Sequence, residues 1–260
     1  MTQWEALLLG FIQGATEFLP VSSSGHLVIA QALLDVDVPG ILFEVAVHVA
    51  TLTSIVLVYR TRVFDLMRGS VAGDRDTLEY VGLVVIATIP AGLLGVFAKD
   101  KIEALFGNPY VPGVALLVTG TFLWSSRAAL ANAAAERPTR VTALLIGLAQ
   151  AFALVPGISR SGATVVAALW LGLEAREAAA FSFLMALPAI AGAAVLQIPD
   201  VSGLGGLSVS ALILGGAAAA ITGMLAIRTF VAMLARGSFH FFAPYCWFAG
   251  AAYLAFLSVQ

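Results

Sequence analysis

Two apolar stretches, 7–34 and 141–173, are long enough to cross a bilayer, yet each is broken in the middle. Pro20 and Gly25 interrupt the first, and Pro156, Gly157 and Gly162 interrupt the second. Proline removes a helix donor, and glycine costs helix stability. Each intact arm is shorter than the roughly 20 residues a transmembrane helix needs. A re-entrant helical hairpin satisfies both constraints. Broken backbone at membrane depth persists only where it is buried in protein or lines a wet cavity. The breaks also carry Glu17, His26 and Arg160, and a charge at a helix centre costs roughly 3 kcal/mol or more. Both breaks therefore read as functional.

The two breaks are copies of each other. A shift of 137 residues aligns 10–34 with 147–171 without a gap and gives eight identities. Gly10 meets Gly147, Gln13 meets Gln150, Ser22 meets Ser159, Ser24 meets Ser161 and Gly25 meets Gly162. The Ser-x-Ser-Gly match, with Gly and Gln upstream, points to an internal duplication.

Composition sets the environment. The chain is 60% hydrophobic and 11% charged, against about 25% charged in soluble domains, so it reads as a polytopic membrane protein. A single cysteine, Cys246, excludes an intrachain disulfide framework and a Cys-cluster metal site. Net charge −2 provides no basic field for nucleic acid. Six full spans are expected at 41–59, 81–98, 110–124, 179–198, 209–227 and 239–257. The segment 60–80 reads as a polar loop. Arg residues crowd the loops 60–80, 125–140 and 228–238, and the turn 199–208 has none. The positive-inside rule then places those three loops in the cytoplasm and 35–40 outside. The expected fold is all-α, with six spans and two re-entrant hairpins. Each half, about 1–130 and about 131–260, is one hairpin plus three spans. Three is odd, so the second half inverts the first. In inverted repeats the site lies where the repeats meet, so the two tips should touch. Trp4, Tyr59, Tyr80, Tyr110, Trp124 and Trp247 fall near span ends, as interfacial aromatics do.

The tips offer Glu17, Ser22, Ser23, Ser24, His26, Ser159, Arg160, Ser161, Gly162 and Thr164. Arginine forks bind phosphate in bidentate fashion, and Ser and Gly turns at helix starts present amides to an anion. Glu17 is a ligand type for a hard divalent cation, and a histidine near a serine can activate its hydroxyl. Bland readings compete with these. Membrane serines bond back to their own helix, Arg160 can pair structurally with Glu17, and Glu44 with His48 serves structure as readily as a site. The residues by themselves leave two functions open, a lipid-phosphate hydrolase and a transporter or flippase of a phosphorylated lipid or solute.

The run from Gln13 and Glu17 through Phe18-Leu-Pro-Val-Ser22-Ser-Ser-Gly-His26, with Pro156-Gly-Ile-Ser159-Arg160-Ser161-Gly162-Ala-Thr164, resembles the undecaprenyl-diphosphate phosphatases of the bacitracin-resistance type. The resemblance spans the chain, including Phe43-Glu44-Val and a turn at Pro188-Ala. It implies hydrolysis of undecaprenyl diphosphate to the monophosphate, which recycles the cell-wall lipid carrier and confers bacitracin resistance. It implies a plasma-membrane (cell inner membrane) protein among membrane lipids, with a divalent cation, Mg or Ca, as cofactor, and the Arg count above sets the site facing outside. The partner is an isoprenyl diphosphate lipid, and a homodimer is compatible with the reading. Carried over, Glu17, Ser23, His26 and Arg160 are catalytic. Ser22, Ser24, Ser159, Ser161, Gly162 and Thr164 bind substrate, and Glu17 with Gln13 holds the metal. Gln13 stands where the family motif often has glutamate, which leaves the acidic role to Glu17.

Overall fold

The computed structural model describes residues 1–27, 42–197 and 208–259. These residues are mainly helical, joined by short turns. Eleven α-helices recur: α1 Gln3–Phe18, α2 Leu42–Val58, α3 Arg60–Val71, α4 Arg75–Phe97, α5 Lys99–Phe106, α6 Tyr110–Ala129, α7 Arg140–Phe152, α8 Arg160–Trp170, α9 Ala175–Gln197, α10 Val209–Ala235 and α11 Phe242–Val259. Among the described residues, four helices are long and apolar enough to cross a membrane. These are α4, α9, α10 and the 239–259 segment containing α11. The count rises to six if each of the bent pairs α2–α3 (85°) and α5–α6 (95°) is one span. Every expected span falls on a helix, and the chain is a multi-pass membrane protein.

The second hairpin has the expected form. α7 has 13 residues and α8 has 11, joined through 153–159. In the first, α1 ends at Phe18 and a helical turn begins at residue 23. Its returning arm and the turn 35–40 lie outside the described residues, as does most of the turn 199–208.

Positions 137 residues apart make matching contacts. Thr2 caps α1 by accepting from the Glu5 amide, and Thr139, again 137 residues on, caps α7 by accepting from the Thr142 amide. Such caps satisfy donors that a helix start leaves without partners. α1 packs on α10 and α7 packs on α4. The contacts are backbone to backbone: a Cβ on Gly10 would collide with the Gly215 carbonyl, and one on Gly147 with the Ala87 carbonyl. Small residues let membrane helices approach this closely, so glycine is required at both positions.

Three expectations are corrected. Segment 60–80 is not a loop, because α3 occupies 60–71 and α4 begins at Arg75. Val63 and Leu66 pack on the core while Arg60, Arg62 and Arg68 stay exposed, the pattern of an amphipathic helix at a membrane surface. No turn occurs at Pro188, which lies inside α9. Tyr80 is buried, not interfacial, because its hydroxyl donates to Glu177 (2.7 Å) and the Arg62 guanidinium sits over its ring.

Candidate active site

The two tips meet, and they are built alike. Ser22 Oγ accepts from the Gly25 amide (3.4 Å) and pairs with Ser24 Oγ (3.3 Å). Ser159 Oγ accepts from the Gly162 amide (3.1 Å) and pairs with Ser161 Oγ (3.3 Å). The duplicated Ser-x-Ser-Gly is thus a helix-start cap used twice. A Cβ on Gly25 would lie 3.6 Å from Gly157 Cα, and one on Gly162 would lie 3.2 Å from Pro20 Cβ. The same offset relates Pro20 to Gly157, so the contact is reciprocal. Ser161 Oγ donates across the junction to Leu19 O (3.4 Å). Thr119 of α6 anchors the second tip, donating to Gly157 O (3.0 Å) and accepting from the Ser159 amide (3.2 Å). Ser22 has φ +67°, a region that non-glycine residues rarely adopt. Such strain persists where surrounding contacts impose it, and it clusters at functional sites.

The charged residues gather beside this junction. Glu17, in the last turn of α1, is 8% exposed. Its Oε1 accepts from Arg160 Nη2 at 2.7 Å. Its Oε2 accepts from Ser23 Oγ at 2.6 Å and from Gln13 Nε2 at 3.0 Å. His48 Nε2 of α2 stands 3.8 Å from the same oxygen, while its Nδ1 donates to Glu44 O (2.7 Å). Arg160 thus pairs with Glu17, as the structural reading anticipated, but Nη2 alone makes the bond. Nη1 is buried without a partner, as is Gln13 Oε1. Buried polar atoms of this kind normally have partners, so these two mark a place for another group.

His26 is not bonded to Ser23. Its Nδ1–H donates to Ser22 O (2.8 Å), which leaves Nε2 to accept from the Tyr245 hydroxyl (2.6 Å). Thr164 is fully buried, and its hydroxyl donates to Arg160 O (2.8 Å) and pairs with Ser182. The structure therefore assembles Gln13, Glu17, Ser23 and Arg160, adds His48, and holds His26 and Thr164 on other partners. Sequence reasoning missed Tyr245 and Thr119 entirely. Neither lies near a motif, and only the fold brings them to the tips.

Two hairpin tips that set one guanidinium, one carboxylate and one serine hydroxyl around unsatisfied polar atoms define a membrane protein with an embedded polar site. The chain belongs to the family described as "Bacitracin resistance protein BacA", which matches residues 6–252. It is 38% identical over 268 residues to the undecaprenyl-diphosphatase of Desulfatibacillum aliphaticivorans, covering 96% of this chain and 97% of that one. It is 40% identical over 262 residues to the protein of that name from Desulfosudis oleivorans, with 95% of each covered. It is 37% identical to that of Methanobrevibacter smithii, with 95% and 94% covered.

Proposed function

We propose that this chain is an undecaprenyl-diphosphate phosphatase that releases inorganic phosphate and returns the monophosphate lipid carrier to cell-wall synthesis. The observation that carries the reading is the Ser23–Glu17–Arg160 chain of contacts at the junction of the tips. The names of the relatives support the substrate. They give no support to the transport reading.

The chemistry follows from those contacts. Arg160 Nη1 donates to the diphosphate while Nη2 stays on Glu17. Glu17 takes the Ser23 proton as Ser23 Oγ attacks the terminal phosphorus. The bridging P–O bond breaks and the lipid monophosphate leaves. Water then attacks the serine phosphate and the P–Oγ bond breaks; Glu17 returns its proton to Ser23 Oγ, and His26 Nε2, on leaving the Tyr245 hydroxyl, is assigned the proton of the water. Ser22, Ser24, Ser159 and Ser161 set the tips, so that the Gly162 turn faces the phosphate. A divalent cation, Mg or Ca, belongs to this reading. Gln13 Oε1 is buried without a partner, but Gln13 turns its Nε2 to Glu17, whose two oxygens already accept from Arg160, Ser23 and Gln13, so the donors as they stand do not fit a cation at Glu17. Hard cations take oxygen ligands, and on the diphosphate itself the cation would neutralise charge. Among the described residues, no group of three or more His, Cys, Asp or Glu could hold a metal ion.

The site is assigned to the outer face on the Arg distribution of the loops, the repeats to about 1–130 and 131–260 on the 137-residue duplication, and the plasma membrane on the family resemblance. Phosphate release from undecaprenyl diphosphate by purified protein, with and without chelator, tests the function. Release that chelator suppresses is expected. No release from any isoprenyl diphosphate would sink the reading.

A further inference from the structure

Gln13 and Glu17 sit four residues apart on α1, so their side chains share one helix face. Two oxygens offered from that face would open a cation site. The amide is turned the other way. Gln13 Nε2 donates to Glu17 Oε2 (3.0 Å), and Gln13 Oε1 is the buried atom left without a partner. The carboxylate is occupied as well. Arg160 Nη2 donates to its Oε1 (2.7 Å) and Ser23 Oγ to its Oε2 (2.6 Å). A carboxylate offers about four lone-pair sites, and here most of them already hold donors.

The charges close the site further. Arg160 cancels the single negative charge of Glu17, and a guanidinium does not give up its proton. His48 Nε2, 3.8 Å from Glu17 Oε2, adds no negative charge. Among the described residues, no three of His, Cys, Asp or Glu gather where they could hold a metal ion, so Glu44 and His48 of α2 complete no such group with Glu17. The second repeat offers no substitute. The copy of Gln13 is Gln150, and Leu154 stands where the copy of Glu17 would be. Hard cations need oxygens and negative charge, and Mg is commonly held by carboxylates together with substrate phosphates. The oxygens of a diphosphate supply what the Glu17–Arg160 pair lacks.

We infer that the resting protein holds no divalent cation at Gln13 and Glu17, and that the cation arrives as the cation–diphosphate complex of the lipid. The inference rests on the phosphatase reading for the substrate. Gln13 is the residue that decides it, because its amide occupies the place where a second carboxylate would make a resident site.

Mn2+ titrated into the purified full-length protein without substrate, with the free ion followed by EPR, reads the resting state. Binding by surface acids is subtracted with Glu17→Gln combined with Arg160→Ala, in which neither buried charge is left unpaired. Wild type should bind no more Mn2+ than that variant. Gln13→Glu, which puts a second carboxylate on the same helix face, should bind one more per chain, at least about tenfold tighter than the surface background. One more Mn2+ per chain in wild type than in the subtracting variant overturns the inference, and so does a Gln13→Glu protein that gains none. Farnesyl diphosphate hydrolysis gives a second reading. Its half-maximal Mg2+ concentration in wild type should match, within about twofold, the dissociation constant of Mg2+ and farnesyl diphosphate measured without protein. A half-maximal concentration at least about tenfold below that constant overturns the inference. Absence of hydrolysis with every cation, alongside the expected Mn2+ titrations, would instead count against the phosphatase reading.

Discussion

Removing Arg160 should damage stability and activity by separable amounts. Its Nη2 bonds Glu17 Oε1 at 2.7 Å, and the two side chains are 15% and 7% exposed. Breaking a buried pair by deleting one partner commonly costs about 3–5 kcal/mol, because the other charge is left behind. Ser23 and Gln13 still donate to Glu17 in Arg160→Ala, so the lower end applies, about 3 kcal/mol. In a chain of this size that is a fall of roughly 6–12 °C in melting temperature, read by thermal denaturation in detergent. Adding Glu17→Gln should recover most of that fall, since no buried charge remains, and should recover no activity. Losing a charged donor to the developing phosphate charge should cost about 100- to 1000-fold in kcat. Arg160→Lys separates the two roles. One ammonium can keep the Glu17 pair and the melting temperature, but it has no second arm for the phosphate. Should Arg160→Lys keep more than about a third of the wild-type rate, the forked role is wrong. Should Glu17→Gln fail to rescue the Arg160→Ala melting temperature, the buried-pair reasoning is wrong.

Ser23→Ala should lose at least about 1000-fold in phosphate release, while Ser24→Ala, whose hydroxyl bonds only Ser22 in the tip network, should lose less than about tenfold. Gly10→Leu and Gly147→Leu should each destabilise the fold by about 1–3 kcal/mol or more in thermal denaturation, because both sit backbone to backbone on a neighbouring helix. Tyr245→Phe, which leaves His26 Nε2 without its hydroxyl partner, should lower kcat about three- to tenfold with KM little changed in steady-state assays.

The breaks, the duplication and the meeting of the tips were legible in the sequence, because proline, glycine and buried polar residues leave marks within a short window. The Ser-x-Ser-Gly match was visible as a repeat, but its meaning as a twice-used cap needed coordinates. Thr2 and Thr139 share the same offset, and they pass unnoticed only because threonine before an apolar run is common. Contacts between distant helices were not legible. His48 stood as an ambiguous polar residue until α2 placed it 3.8 Å from Glu17, and Tyr245 lies 219 residues from His26. Helix α3 reads as a loop in the sequence because four arginines between 60 and 75 outweigh the spacing of Val63 and Leu66. Tyr80 reads as an interfacial aromatic because nothing local reveals that Glu177 accepts from its hydroxyl.

The central claim is that Ser23, held by Glu17 and faced by Arg160, takes the phosphoryl group. Rapid quench of the purified protein with undecaprenyl diphosphate radiolabelled in its terminal phosphate tests it most directly. The account predicts label on the peptide containing Ser23 before steady-state phosphate release, and none in Ser23→Ala. Full turnover with no labelled protein, together with an active Ser23→Ala enzyme, would mean that water attacks the phosphorus directly.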